Sequence, residues 1–182
     1  ADYAFQQHIQ KSLDTNNGRS ISLWPHGVLF RDSEAEMRKR MIEEDVVECV
    51  ISLGPNLFYN SSMTSCLLIT NNNKTPERKN KVLFVQAVNE VRNEKTISYL
   101  DPHHIERIHN AYLNFKNEET FTAVVYNEDI LKDKNIRLSV QLFVKEDKIV
   151  EEDFDVLLNS WVKNGKELDD SMNELFKTLA NG

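Results

Sequence analysis

Apolar positions along this chain change their spacing several times, and each change marks an element. Ala4, Phe5, His8, Ile9, Ser12 and Leu13 fall three and four apart, which predicts an opening helix to about Leu13. Asp14-Thr15-Asn16-Asn17-Gly18 then stops it with short polar residues and a glycine. Ser20 to Trp24 predicts a buried strand closed by Pro25-His26-Gly27. A second helix is expected from Ser33, where Ser33 and Glu36 have the spacing of a capping box and Met37, Met41 and Ile42 supply an apolar side. Val46 to Leu53 carries the strongest strand pattern, rich in β-branched residues and ended by Gly54-Pro55. Ser65 to Thr70 and Lys81 to Ala87 suit an antiparallel hairpin with a long Asn-rich connection over 71–80. Asp101-Pro102 opens a third helix with Ile105, Ile108, Tyr112 and Phe115 on one side, and Thr122 to Tyr126 follows as a short strand. Residues 127–150 carry no readable period.

Strand, helix, strand and hairpin together predict an α/β fold, one half of an open sheet with an antiparallel edge. The last thirty residues differ. Phe154, Leu158, Trp161, Gly165, Leu168, Met172, Leu175 and Leu179 alternate four and three apart, the spacing of a helical packing seam. Asn164-Gly165 interrupts the seam and is expected to split it into two helices. The seam folds back on its own domain or is offered to a partner's helices, and periodicity does not choose between the two. The expected division is a sheet domain over 1–145 and a helical tail over 146–182. The pattern is already helical at Ala1 without a cap, so the chain is expected to begin inside a domain.

Composition narrows the picture. With 40% hydrophobic and 28% charged residues the chain is an ordinary globular sequence. No apolar run approaches the ~20 residues needed to cross a bilayer, and no basic region followed by an apolar stretch marks a secretory signal. Cys49 and Cys66 are too few for a disulfide framework, and both sit in strand-like runs; reduced buried thiols in a cytoplasmic protein are expected. A net charge of −7 argues against a chain that grips nucleic acid by itself. The basic clusters Arg38-Lys39-Arg40 and Arg78-Lys79, with Lys74 and Lys81 nearby, are read as solvated faces.

Catalytic signatures are absent. The five glycines are isolated, so no Gly-rich turn cradles a cofactor, and no P-loop, HExxH or GxSxG occurs. His103, His104 and His109 gather with Glu106 on the third helix, read as a helix surface rather than a zinc site. Asp101-Pro102 is read as an N-cap followed by proline at the first helical position.

Three stretches carry a resemblance. Asp2-Tyr3-Ala4-Phe5 opens a helix that ends in Asn-Gly and leads to Ser20-Ile21-Ser22-Leu23-Trp24-Pro25. Trp24-Pro25-His26-Gly27-Val28-Leu29-Phe30 differs only at Trp24 from a family pattern Leu-Pro-His-Gly-Val-Leu-Phe. Arg38-Lys39 and Ile42-Glu43-Glu44-Asp45 lead into a strand, and Leu53-Gly54-Pro55-Asn56-Leu57-Phe58-Tyr59-Asn60 precedes Thr64-Ser65-Cys66-Leu67-Leu68. In this order they resemble the second half of the adenine-N6 DNA methyltransferases that form the modification subunits of type I restriction systems. The likeness is close over Pro25 to Leu68 and weaker to about Phe143.

That resemblance implies a C-terminal half of a Rossmann-like sheet and S-adenosylmethionine as the parent's methyl donor. It implies DNA, a specificity subunit, a second modification subunit and the restriction subunit as partners. Phe5 would line the pocket for the cofactor's adenine, although it also fits as a core residue of an amphipathic helix. Phe58, with Asn56 and Tyr59 beside it, would meet the extruded target adenine, since base-modifying enzymes hold a flipped base between apolar faces. The family's cofactor loop and Asn-Pro-Pro-aromatic motif do not occur in these residues, so the chain alone is expected to be inactive. A non-catalytic assembly module is the alternative.

Overall fold

The computed structural model describes residues 2–58, 61–94, 97–145, 158, 161–169, 171–172 and 176. Helix α1 (Asp2–Ser12) ends where the Asp14 carboxylate accepts the backbone N–H groups of Asn16 and Asn17 at 2.9 and 2.7 Å. Strand β1 (Arg19–Pro25) leads through a 3-10 turn (His26–Leu29) and a second one (Asp32–Glu34) to α2 (Ala35–Glu43). Strands β2 (Val47–Leu53), β3 (Ser65–Asn71) and β4 (Lys81–Ala87) follow, then the small pair β5 (Arg92–Glu94) and β6 (Ile97–Tyr99). Helix α3 (Pro102–Asn114), edge strand β7 (Thr122–Tyr126), short α4 (Asn127–Ile130) and a 3-10 turn (Val140–Leu142) complete the sheet domain.

The main sheet has the order β1-β3-β2-β4-β7. Strand β3 is antiparallel to both β1 and β2, so β1 and β2 run the same way; β4 is parallel to β2, and β7 antiparallel to β4. The fold is α/β, but β3 and β4 form no hairpin. They flank β2, one on each side. Every position of β2 is buried, so this strand needs neighbours on both edges and cover on both faces. Two apolar runs separated by a turn-rich stretch look alike whether they pair directly or straddle a third strand.

Alternating side chains send two cores to opposite faces. Val50, Leu68, Val82 and Phe84 join Tyr3 of α1 and Ile42 of α2 on one face, with Phe143 stacked on Phe84 at 4.2 Å between ring centres. Cys49, Ile51, Ile69, Leu83 and Val85 pack on the other face with Ala111 and Phe121. Both thiols are free and buried, and burial pushes Cys66 up to about 12.

Three further expectations change. Ser33 and Glu36 do not cap α2, because the 3-10 turn at Asp32–Glu34 takes up that stretch and Glu34 stands at the N-cap. Strand β1 is not buried: it is an edge strand, with Ile21 70% exposed. The basic clusters are not simply solvated faces. Arg38 is fully buried and donates to the carbonyls of Ile136 (2.7 Å), Asn135 (2.8 Å), Arg31 (2.9 Å) and Val28 (3.2 Å). A five-donor fork satisfies four backbone acceptors at once, which ties down the segment that has no readable period. Lys74 is buried against Asp45, and Arg78 reaches the Tyr112 and Leu113 carbonyls and the buried Glu48.

Contacts divide the chain into residues 1–145 and 146–182. Within the second unit residues 161–169 are one helix through Asn164-Gly165, so these two residues do not split the seam. Its Leu158, Trp161, Leu168, Met172 and Phe176 are exposed; Phe154, Leu175 and Leu179 lie outside the described residues.

Candidate functional site

Because β1, β2 and β4 run the same way, their carboxyl ends share one edge of the sheet, where open α/β sheets bind ligands. The turn at His26 leaves β1 there, and the loop 54–64 joins β2 to β3 across it. A Cβ on Gly54 would come within 2.6 Å of the Val88 carbonyl oxygen, so the exits of β2 and β4 approach this closely only with glycine. Asn56 then takes a left-handed conformation (φ 59°), which asparagine tolerates well, and its carbonyl accepts the Ser98 N–H at 2.8 Å.

These supports give the loop two sides. Leu57 packs on the second core, whereas Phe58 is 39% exposed and its carbonyl accepts the Ser61 N–H at 3.1 Å. Tyr59 lies outside the described residues. Met63 is exposed on the same loop and was not singled out by sequence, although a large apolar group in a polar loop is itself a signal. Phe5 is 65% exposed while Tyr3 and Gln6 face inward, so it is not a core residue. The start of α1 belongs to the same edge, since Asp2 accepts from Arg31, just past the turn that leaves β1, at 2.5 Å.

His26 ties this edge together. Its Nε2 shares a 2.5 Å hydrogen bond with the Ser52 hydroxyl, and its N–H donates to the Thr64 carbonyl at 3.3 Å. One residue thus links the exit of β1 to the end of β2 and to the far end of the Phe58 loop. Burial lowers its pKa below the ordinary 6.5, because desolvation disfavours the charged imidazolium. The sequence showed His26 only as part of a seven-residue pattern, without a role.

The histidine group on α3 resolves into a helix cap. Ligand atoms of Asp101, His103 and His104 lie within 4.8 Å of one another. His104 Nδ1, however, accepts the Asp101 N–H at 3.1 Å in a capping box, and Arg92 pairs with the Asp101 carboxylate at 3.1 Å. A cation there would face Arg92. Two grooves, of about 690 and 520 Å³, are lined by neither Phe5 nor Phe58.

Residues 1–152 match the family described as N-6 DNA Methylase. The chain belongs to that family. This N-6 DNA methylase chain resembles the modification subunits of type I restriction systems. It is 34% identical over 98% of its length to the methylase subunit of the type I restriction enzyme MjaVIII of Methanocaldococcus jannaschii, and spans 30% of that relative. It is 32% identical over 88% of its length to the MpnII methylase subunit of Mycoplasma pneumoniae, of which it spans 29%. The crystal structure of a type I restriction-modification methyltransferase subunit from Streptococcus thermophilus superposes with a TM-score of 0.73 at 32% identity, over 80% of this chain and 30% of that one. The family implies S-adenosylmethionine as cofactor. Among the described residues Phe5 is an exposed aromatic, and no Gly-rich turn stands among them to hold that group.

Proposed function

We propose that this chain is the C-terminal half of the Rossmann-like catalytic domain of a type I modification subunit, with 146–182 as its subunit-interaction tail. The complete polypeptide transfers a methyl group from S-adenosylmethionine to adenine N6 in DNA. The observation that carries the reading is the exposed Phe58 on a glycine-fixed loop at the carboxyl edge of the parallel strands. A flipped adenine needs an apolar face, which Phe58 would supply; Asn56, and Tyr59 next in the sequence, are assigned to the polar edges of the base. Phe5 forms part of the surface for the adenine of the cofactor, which brings the methyl group when bound. The chain's own residues hold and orient; none of them is assigned to polarise the target amine.

The chain alone is therefore silent, and its partners are those of a modification complex: DNA, a specificity subunit, a second modification subunit and the restriction subunit. Transfer of labelled methyl groups to adenine-containing DNA tests this. The complete polypeptide with its specificity subunit methylates, and the 182-residue chain neither methylates nor gives heat with S-adenosylmethionine in calorimetry. A complete polypeptide that leaves DNA unmethylated overturns the catalytic reading. It leaves the second one, an assembly module favoured by the exposed apolar residues Trp161, Leu168 and Met172 of the tail.

A further inference from the structure

Strand β4 does not lead straight into α3. At the carboxyl edge the chain first forms the ribbon β5–β6, in which Arg92, Asn93 and Glu94 stand opposite Tyr99, Ser98 and Ile97. Two three-residue strands are at best marginal by themselves, and this pair is held from outside. Glu90 pairs with Arg107 of α3 at 2.5 Å, and Arg92 with Asp101 at the start of that helix at 3.1 Å. Helix α3 in turn packs on the second core through Ala111, Ile108 and Tyr112. The ribbon also meets the loop that carries Phe58. A Cβ on Gly54 would lie 3.1 Å from Val91, just before β5. Ser98 is buried; its hydroxyl donates to Asn93 Oδ1 at 2.9 Å and its N–H to the Asn56 carbonyl at 2.8 Å. Opposed residues of an antiparallel pair alternate between those that exchange backbone bonds and those that do not. Ser98, opposite Asn93, turns its N–H out of the ribbon and onto the loop.

We infer that the β5–β6 ribbon braces this loop, and that Ser98, through its N–H, is a positioning residue for Phe58. The inference rests on the proposed reading of Phe58 as the face that meets the extruded adenine. Among the described residues, the Ser98 bond is the one hydrogen bond that holds 55–58 from outside the loop; the Ser61 bond to the Phe58 carbonyl is internal to it. Leu57 anchors the loop by packing, which sets depth but little direction. A bond to the Asn56 carbonyl fixes the planar peptide between Asn56 and Leu57, and with it the course of the chain into Phe58. An aromatic face serves a reaction when it is in place before the base arrives. Freed from Ser98, the ring would be present but unplaced.

Ser98→Pro removes the N–H, and because that group points out of the ribbon, no bond across β5–β6 is lost with it. Methylation kinetics of the complete polypeptide with its specificity subunit read the effect. Ser98→Pro should lower kcat at least about tenfold while KM for DNA stays within about twofold. Ser98→Ala, which keeps the N–H, recovers the rate. A residue that acts through Phe58 also loses its effect once that ring is gone, so Ser98→Pro adds little to Phe58→Ala, whereas independent losses would multiply. A normal kcat in Ser98→Pro overturns the brace. So do multiplied losses in the double variant, or an Ala variant as slow as the Pro variant. Amide exchange of the unsubstituted polypeptide needs no folded variant: the Ser98 N–H should exchange at least about a hundredfold more slowly than an unstructured amide. Exchange at the unstructured rate overturns the brace even where Ser98→Pro fails to fold. Phe58→Ala at the normal rate removes the reading of Phe58 and the positioning role with it; an impaired Phe58→Ala beside a normal Ser98→Pro removes the brace alone.

Discussion

Phe58 and His26 share one edge and act through different physics. Stacking on a base is worth roughly 1–3 kcal/mol. Phe58→Ala in the complete enzyme should therefore slow methylation about ten- to a hundredfold, while Phe58→Trp, which keeps an aromatic face, slows it less. Since Phe58 is 39% exposed, truncation should leave the melting temperature nearly unchanged. An alanine enzyme that methylates at the normal rate removes the stacking assignment. His26 carries a pH prediction instead. Its folded pKa lies below the ordinary 6.5, so the fold resists protonation that the unfolded chain accepts. The contribution is fully present above pH ~6.5 and is lost as pH falls from there through the lower, folded value. The Arg137 guanidinium holds Asp133 at about 2, and stability tied to it is lost in a separate window, from 3.8 down. Denaturant melts should show the upper loss in the parent chain and not in His26→Gln; an unchanged loss in that variant would remove His26 as its source.

At the scale of elements, local signals were legible and pairing was not. The boundaries of α1, β2, α3 and β7 follow from periodicity, from the Asp14 stop and from the Asp101-Pro102 start. The insertion of β2 between β3 and β4 was hidden, because each of these runs is apolar on both faces and none names its neighbour. Arg38 was hidden behind its charge, although it stands three and four residues before Met41 and Ile42 and so shares their buried face. The roles of Phe5 and Phe58 came from the resemblance, with the polar loop after Gly54-Pro55 adding a local signal for Phe58; burial then separates Phe5 from the core. The tail offers a test at this scale. A Cβ on Gly165 would meet nothing within 4 Å, and the helix 161–169 runs through it. Gly165→Ala should raise helicity in circular dichroism, alanine being worth about 1 kcal/mol over glycine inside a helix. Leu168→Asp should keep that helicity yet weaken binding of the specificity subunit more than about tenfold, since a docked seam would bury the new charge. Full binding by the Asp variant would show that the seam does not dock there.

For the whole molecule the question is how an acidic chain of net charge −7 would serve the proposed reaction on DNA. Its basic residues answer in part. Arg38, Lys74 and Arg78 are committed to carbonyls and carboxylates inside the fold; Arg38 closes the loops after β1 and around Ile136, and Lys74 and Arg78 hold the amino edge of β2 and β4. The exposed Arg40 and Lys79 lie just before β2 and β4, on the edge opposite Phe58. Phosphate contacts made where the base is held would not involve them. Arg40 and Lys79 are therefore expected to take no part in the phosphate grip, and Arg40→Gln with Lys79→Gln tests that. Each phosphate contact contributes about 0.9 to the slope of log affinity against log salt for duplex DNA. The double variant of the complete assembly should keep the slope of the unsubstituted protein, and a slope shallower by nearly 2 would place both residues on the backbone. Arg78→Gln separates the two kinds of cation. It removes a partner of buried Glu48 and the stacking of Arg78 over Tyr112 and Phe115, at 4.9 and 4.7 Å from the ring centres. Stability should fall while the salt slope stays fixed, because this arginine holds the fold and not the DNA.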